Sequence, residues 1–402
     1  MRQVERHFIK PKHKLYKEID NLCFLSKNLY NVCVYQLRQH YFATEKLISF
    51  NKLYHLVKTT IDYKALPSKV SQLIVKQAAD MFAYWQKALK AYEKNPKKFT
   101  GKPKLPKYKH KQNGRNKVTY NYQAISKTYL RQGLLNPSKT KLKIKTNQRN
   151  VLETRLIPKK NGSYYLEIVY EQPVKQTVLN NRYASIDIGL NNLATIGFNC
   201  IDVKPIIING KAIKSCNRWF NKRKAYLQSR LPKNVYNSNR INRLSLKREN
   251  KISYYLHKSS KQIIDYLLAN QISHLVIGKN DNWKQNINIG KKNNQNFTSV
   301  PHAEFINKLI YKAEKEGINV IVTEESYTSK TSFLDKEFPQ KQTSYLGSRI
   351  KRGLFKSSKG TKINADLNGA LQIMKKVVGN SVFNSDSILR YVVYPVRLSL
   401  QS

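Results

Sequence analysis

Apolar residues recur every three to four positions over 17–44 (Leu22, Leu25, Leu29, Val32, Leu37), which predicts an amphipathic helix. A second such helix is predicted over 68–93 from Val70, Leu73, Ile74, Ala78, Phe82, Trp85 and Leu89. Tyr84, Trp85 and Tyr92 on this helix read as core residues rather than base-stacking ones. The helix must give way at Asn95-Pro96, where NPKKFTGKPKLPKYKHKQNGRNK begins, because three prolines exclude a regular helix. Alternation changes to period two over 150–171, around Asn161-Gly162, a strong hairpin signal. A mostly β segment is therefore expected from about 100 to 177.

From 184 onward the pattern reads strand, strand, helices, strand, helix, strand. ASIDIGL and NLATIGF predict a hairpin around Asn191-Asn192, and a long basic helical region follows at 217–268. HLVIG (274–278) reads as a buried strand, 302–317 as an amphipathic helix and INVIVTEE (318–325) as another strand. Residues 330–362 read as basic, polar and irregular, and a final apolar helix begins near Ala365. This order predicts a three-layer α/β domain with a mixed sheet opened by a hairpin, the RNase H-like plan.

Charge narrows the function. Lys and Arg number 74 against 24 Asp and Glu, a net charge of +50. Solubility needs far less than this, so a polyanionic partner is implied, with nucleic acid first because each neutralised phosphate releases counterions. AT-rich coding would inflate lysine, but it would not hold acids to a third of the bases. The Lys/Pro stretch with Phe99 and Tyr108 suits an extended strand along a phosphate backbone, with Lys102, Lys104, Lys107 and Tyr108 as candidate contacts; the alternative is a disordered basic linker. The opening MRQVERHFIK has no apolar signal region, and no stretch approaches the length of a membrane span. Cys23, Cys33, Cys200 and Cys216 lack CxxC spacing, so no disulfide framework or zinc site is expected. A cytoplasmic, nucleoid-associated prokaryotic protein is the expectation.

Two carboxylates carry the chemistry. Asp187 lies in the apolar run ASIDIG, and Asp366 opens the helix NADLNGALQIM. A buried ionised Asp costs several kcal/mol, on the order of the usual desolvation penalty, unless a metal or hydrogen bonds compensate it. Carboxylates converging on one sheet edge suit a pair of Mg²⁺ (or Mn²⁺) ions for phosphodiester hydrolysis.

DIGLNNLAT (187–195), SYTSK (326–330) and NADLNGA (364–370) resemble, in that order, motifs of the TnpB/OrfB family, transposon-encoded RNA-guided DNA nucleases related to the miniature type V CRISPR effectors. LPSKVSQLIVKQAADMF, GKPKLPKYK and RENKISYYLHKSSKQII extend the resemblance over nearly the whole chain. It implies an α/β multidomain protein: an RNase H-like (RuvC) nuclease domain plus an N-terminal β-barrel wedge with an inserted helical recognition lobe. The implied boundaries are 1–16 and 100–178 for the wedge, 17–99 for the helical lobe, and 179–329 with 361–380 for the nuclease domain. Residues 330–360 would be a nucleic-acid-binding insert and 381–402 a tail. Asp187 matches the first catalytic carboxylate and Asp366 the third.

The second carboxylate departs from the family. Where it usually carries Glu at the end of HLVIG, this chain has Gly278. Glu324 and Glu325, at the end of the next strand, are the candidates to replace it. Strand alternation admits only one as a ligand, with Glu325 preferred, and Asp281 is a weaker candidate. The four zinc-ribbon positions fall on Ser332, Asp335, Lys356 and Lys359, which excludes zinc there. The insert then reads as a metal-free basic lid, with Arg349, Lys351 and Arg352 able to contact nucleic acid. The resemblance implies guide RNA and double-stranded target DNA as partners and an RNA-guided DNA endonuclease as the activity. Gly278 favours the alternative, a nuclease-inactive RNA-guided DNA-binding or repressor protein. An autonomous structure-selective nuclease would leave the N-terminal half without a role.

Overall fold

The computed structural model describes residues 1–177, 179–280, 290–380, 383 and 395–398; Asp281 lies outside them. The chain forms two compact units, Met1–Gln172 and Pro173–Ser402.

The first unit contains β1 (Arg2–Ile9), α1 (Tyr16–Thr44), α2 (Phe50–Val57), α3 (Ile61–Lys64) and α4 (Ser68–Lys94). It continues with β2 (Val118–Asn121), α5 (Lys127–Arg131), β3 (Leu134–Leu135), β4 (Ile144–Lys145), β5 (Val151–Pro158) and β6 (Tyr164–Glu171). The stripe Ile19, Leu22, Leu29, Cys33 and Leu37 of α1 is buried in one core with Val70, Ile74, Ala78 and Phe82 of α4. Four strands pair antiparallel in the order β1-β6-β5-β2, while β3 and β4 pair only with each other. The described strands therefore form an open sheet and a separate ribbon, not a hydrogen-bonded closed barrel. The β5–β6 hairpin turns at Gly162, whose φ of 78° is the left-handed conformation that Asn-Gly favours.

Residues 100–117 contain no strand, contrary to the expected β segment. Their main chain is held by helix side chains instead of a ladder. Asn31 both donates to Lys109 O (2.9 Å) and accepts from Lys109 N (2.8 Å). Arg38 reaches Pro106 O at 3.2 Å, and Trp85 Nε1 reaches Pro103 O at 3.2 Å. The segment is thus a strap along α1 and α4, with Lys102, Lys104, Lys107 and Tyr108 exposed and the Arg38 guanidinium 5.3 Å from the Tyr108 ring centroid.

The second unit contains β7 (Tyr183–Asp187), β8 (Asn192–Phe198), β9 (Ile206–Asn209), α6 (Lys211–Gln228), α7 (Asn239–Ala269) and β10 (His274–Gly278). It then runs through α8 (Lys291–Thr298), α9 (His302–Lys315), β11 (Asn319–Thr323), β12 (Ser348–Lys351), β13 (Leu354–Lys356), β14 (Lys362–Asn364), α10 (Ala365–Val378) and β15 (Val396–Leu398). The main sheet has the order β11-β10-β7-β8-β9-β15. β7, β8 and β9 run antiparallel, β10 and β11 join parallel to β7, and β15 lies parallel to β9. Residues 396–398, expected in a tail, thus supply an edge strand. Ala184, Ile186, Leu275 and Ile277 share a core with Leu256 and Ile263 of α7 and Phe305 and Leu309 of α9. On the opposite face Ser185 Oγ donates to Ala370 O of α10 at 2.6 Å. Strand alternation therefore puts Asp187, two residues after Ser185, on the α10 face.

The segment expected to be irregular, 330–362, contains the three-stranded sheet β12-β13-β14. Phe333, Phe355 and Ile363 pack with Leu367 and Leu371 of α10. Asp335, at a position where the family resemblance puts a zinc ligand, accepts from Ser358 N (2.9 Å) and Ser358 Oγ (2.6 Å). The buried Glu337 accepts from Ser332 N (2.6 Å) and Leu346 N (2.8 Å). Hydrogen bonds to carboxylates thus brace the two sides of the insert. Glu337→Ala would strand two backbone donors, at a cost of about 2 kcal/mol or more. We expect faster amide exchange and proteolysis confined to 330–364, with the main sheet unaffected.

Candidate active site

β7 and β10 are parallel, with Ile277 beside Ile186, so Asp187 and Gly278 end at the same sheet edge. α10 brings Asp366 to that edge. Asn364 caps the helix, its Oδ1 accepting from Asp366 N (3.0 Å) and Leu367 N (3.1 Å). Gly369 lets the helix approach: a Cβ there would stand 3.0 Å from Asp187 Oδ2. Asp366 Oδ2 accepts from Asn192 Nδ2 (2.9 Å), and its Oδ1 pairs with Arg349 of the insert at 3.0 Å. Arg349, read from sequence as a nucleic-acid contact, is exposed like Lys351 and Arg352 but is engaged by a carboxylate of the site.

β11 ends at Thr323, so Glu324 and Glu325 lie just beyond the strand rather than within it, and the pleat does not assign their faces. The turn does. Glu324 points outward, 62% exposed, to Lys376 Nζ at 3.2 Å. A hydrogen bond with Ser326 and the Lys376 charge hold its carboxyl below the usual range. Glu325 folds inward over β10, where its Oε2 lies 2.7 Å from the point a Cβ of residue 278 would occupy. Asn280 clamps it from both sides, donating to Oε1 (3.2 Å) and accepting from Glu325 N (3.1 Å). The carboxylate of Glu325 thus fills the space where a side chain at 278 would start. A recess of about 460 Å³ is lined by Lys279, Asn280, Val322, Thr323 and Glu324.

Burial, reinforced by Asp366 and Glu325 and opposed by Arg349, pushes the Asp187 carboxyl well above its ordinary value. Burial and the neighbouring Glu324 push Glu325 up to about 7. Among the described residues the Asp187 side chain has no hydrogen-bond partner. Two carboxylates, those of Asp366 and Glu325, raise the pKa of a third, Asp187, and a divalent cation relieves such a gathering of hard oxygen donors, so the donor set fits Mg²⁺ or Mn²⁺. No three His, Cys, Asp or Glu side chains among the described residues are gathered tightly enough to form a ready metal cage. Mg²⁺ needs few protein ligands, since water and phosphate complete its shell.

The raised Glu325 pKa has a measurable consequence. The folded state holds this proton more tightly than the unfolded chain, whose ordinary value is 4.5. Its contribution to stability is therefore present below about 4.5 and is lost as pH rises towards about 7. In EDTA the urea midpoint should fall across that window, and Glu325→Gln should flatten the slope.

Sequence reasoning did not single out Asn280, Asn192 or Gly369. Asn192 closes the DIGLNN hairpin and Gly369 lies within NADLNGA, but their contacts join elements far apart in sequence. Asn280, two residues past Gly278, carried no signal of its own.

Residues 167–284 match the OrfB_IS605 family, described as a probable transposase, and residues 302–373 match the Cas12f1-like TNB domain. The chain is 29% identical over 224 residues to a TnpB-like protein, ORF457, of Acidianus two-tailed virus, covering 53% of this chain and 46% of that one. It is 28% identical over 249 residues to the CRISPR-associated endodeoxyribonuclease Cas12f2 of a Micrarchaeota archaeon, covering 55% and 42%. Each match thus spans under half of the relative's length. Among solved structures, the chain is similar to a Cas12f1–sgRNA–target DNA complex at 15% identity and a TM-score of 0.38, covering 93% of this chain and 98% of that one. It is also similar to the mini-RNA-guided endonuclease CRISPR-Cas_phi3 at 10% identity and a TM-score of 0.48, covering 98% and 93%. No described helix is long and apolar enough to cross a membrane. Over these two stretches, 167–284 and 302–373, the chain is similar to the TnpB/OrfB family and its Cas12f kin.

Proposed function

We propose that this protein is an RNA-guided, metal-dependent DNA endonuclease whose second catalytic carboxylate is Glu325. The observation that carries this reading is the placement of Glu325 over Gly278, beside the edge where Asp187 and Asp366 converge. The sheet order, with its antiparallel hairpin flanked by parallel strands and α10 across the face, supports an RNase H-like (RuvC) domain. We assign the insert at 330–360 to nucleic-acid contact and the N-terminal unit to the guide RNA, as the wedge and helical lobe of this family. Base pairing with the guide would supply sequence specificity on double-stranded DNA.

Asp187, Asp366 and Glu325 would hold Mg²⁺. When bound, the metal supplies an activated water and neutralises charge on the scissile phosphate. Asn280 holds Glu325 in its inward pose, and Asn192 orients Asp366. Arg349 balances Asp366 and is placed to move to a phosphate oxygen when one arrives, a neutral exchange of partners for a guanidinium.

The test is plasmid cleavage with co-expressed flanking RNA and Mg²⁺. Metal-dependent cleavage that is lost in Asp187→Ala supports the reading. Guided binding without cleavage by the wild type would establish the repressor alternative that Gly278 first suggested.

A further inference from the structure

Helix α6 presents an unusual outer face. Its inner side buries Ile213, Asn217 and Phe220, yet Trp219 is 52% exposed and Tyr226 is 43% exposed. Positions 219, 223 and 226 follow the four-three spacing of a single stripe, and Arg230 follows in the turn just past the helix end. The guanidiniums of Arg223 and Arg230 lie 4.8 and 4.6 Å from the Tyr226 ring centroid. Trp219 has no ring or cation partner among the described residues. From residue 203 to 248 the chain has 13 Lys and Arg and no Asp or Glu.

From this stripe we infer that the outer face of α6 is a stacking platform for unpaired, single-stranded nucleic acid. The inference rests on nucleic acid being the polyanionic partner of this chain, and is independent of whether the chain cleaves it. Exposed rings distinguish this surface from one that follows a duplex backbone. A duplex keeps its base faces inside its own stack, so it would meet only the Lys and Arg charges. An unpaired strand offers both a phosphate and a free π-face at each nucleotide. Trp219 supplies an open ring, and the Arg223–Tyr226–Arg230 ladder continues it, since guanidinium planes also stack on bases. Trp219 and Tyr226 are about 10 Å apart along the helix axis, the span of two or three nucleotides of a partly stacked strand.

The experiment uses the full chain in EDTA at raised salt, which suppresses the backbone contribution. Anisotropy would compare fluorescein-labelled oligo-dT, oligo-U and a duplex of equal charge. Trp219→Ala with Tyr226→Ala is expected to weaken the single strands by about tenfold or more and the duplex by less than about threefold. Trp219→Phe with Tyr226→Phe should keep single-strand affinity. Equal losses for oligo-dT and oligo-U assign the platform to either nucleic acid, whereas a loss for one alone identifies its strand. In the wild type, 5-iodouracil in oligo-U or 5-iodo-deoxyuridine in oligo-dT should photocross-link to the peptides carrying Trp219 or Tyr226. Unchanged single-strand affinity in the alanine variant, an equal loss for duplex, or cross-links only outside 211–236 would each overturn the inference. The nuclease reading stands or falls on Asp187→Ala cleavage, which this experiment does not touch.

Discussion

Asp187→Ala and Glu325→Ala are each expected to lower guided DNA cleavage by at least about 10³-fold, roughly 4 kcal/mol of transition-state stabilisation, with target binding retained. Glu324→Ala should stay within about threefold. The contrast follows from where each carboxylate points. Asp187 is half-buried against α10 and has no hydrogen-bond partner among the described residues, and Glu325 is folded over β10 with its pKa raised to about 7. Glu324 faces solvent and is paired with Lys376. Cleavage rates on a matched plasmid, with gel-shift binding alongside, decide the matter. Equal losses for Glu324→Ala and Glu325→Ala, or none for either, would remove Glu325 from the site.

The second expectation concerns Gly278. A Cβ there would stand 2.7 Å from Glu325 Oε2 and 2.6 Å from Ile373 Cδ1, both closer than real contacts allow. Gly278→Ala should therefore displace the Glu325 carboxylate and cut cleavage by about tenfold or more, while costing about 1–3 kcal/mol of stability through overpacking. Gly278→Glu alone should be worse, since two carboxylates would compete for one place. With Glu325→Ala the carboxylate clash is gone and only the Ile373 side-chain end must shift, and we expect at least about tenfold recovery over Glu325→Ala alone. A folded, DNA-binding double variant no more active than Glu325→Ala would show that the edge of β10 is not a ligand position.

Much of the second unit was legible from local patterning. Period-two alternation, the Asn191-Asn192 turn and the apolar run HLVIG set out β7, β8 and β10, and NADLNGA carried both a cap and a first-turn acid. The less legible parts were those where partners lie far apart in sequence. The 100–117 segment reads as a strand by composition but is a strap, because Asn31, Arg38 and Trp85 occupy its backbone groups. The 330–362 segment reads as irregular because its strands are short and basic. Its order comes from Glu337 and Asp335 accepting from backbone five to 23 residues away, and from Phe333, Phe355 and Ile363 packing on α10.

By itself the sequence carried the resemblance to the TnpB/OrfB family, the large positive charge, the positions of Asp187 and Asp366, and the glycine standing where that family usually has a glutamate. These are properties of residue type, spacing and charge, which need no knowledge of distant contacts. Only the tertiary structure distinguished Glu325 from Glu324, because the strand ends at Thr323 and a turn, not the pleat, aims the two side chains. It also gave Gly278 a physical role, since a carboxylate from the neighbouring strand's end occupies the volume its side chain would need.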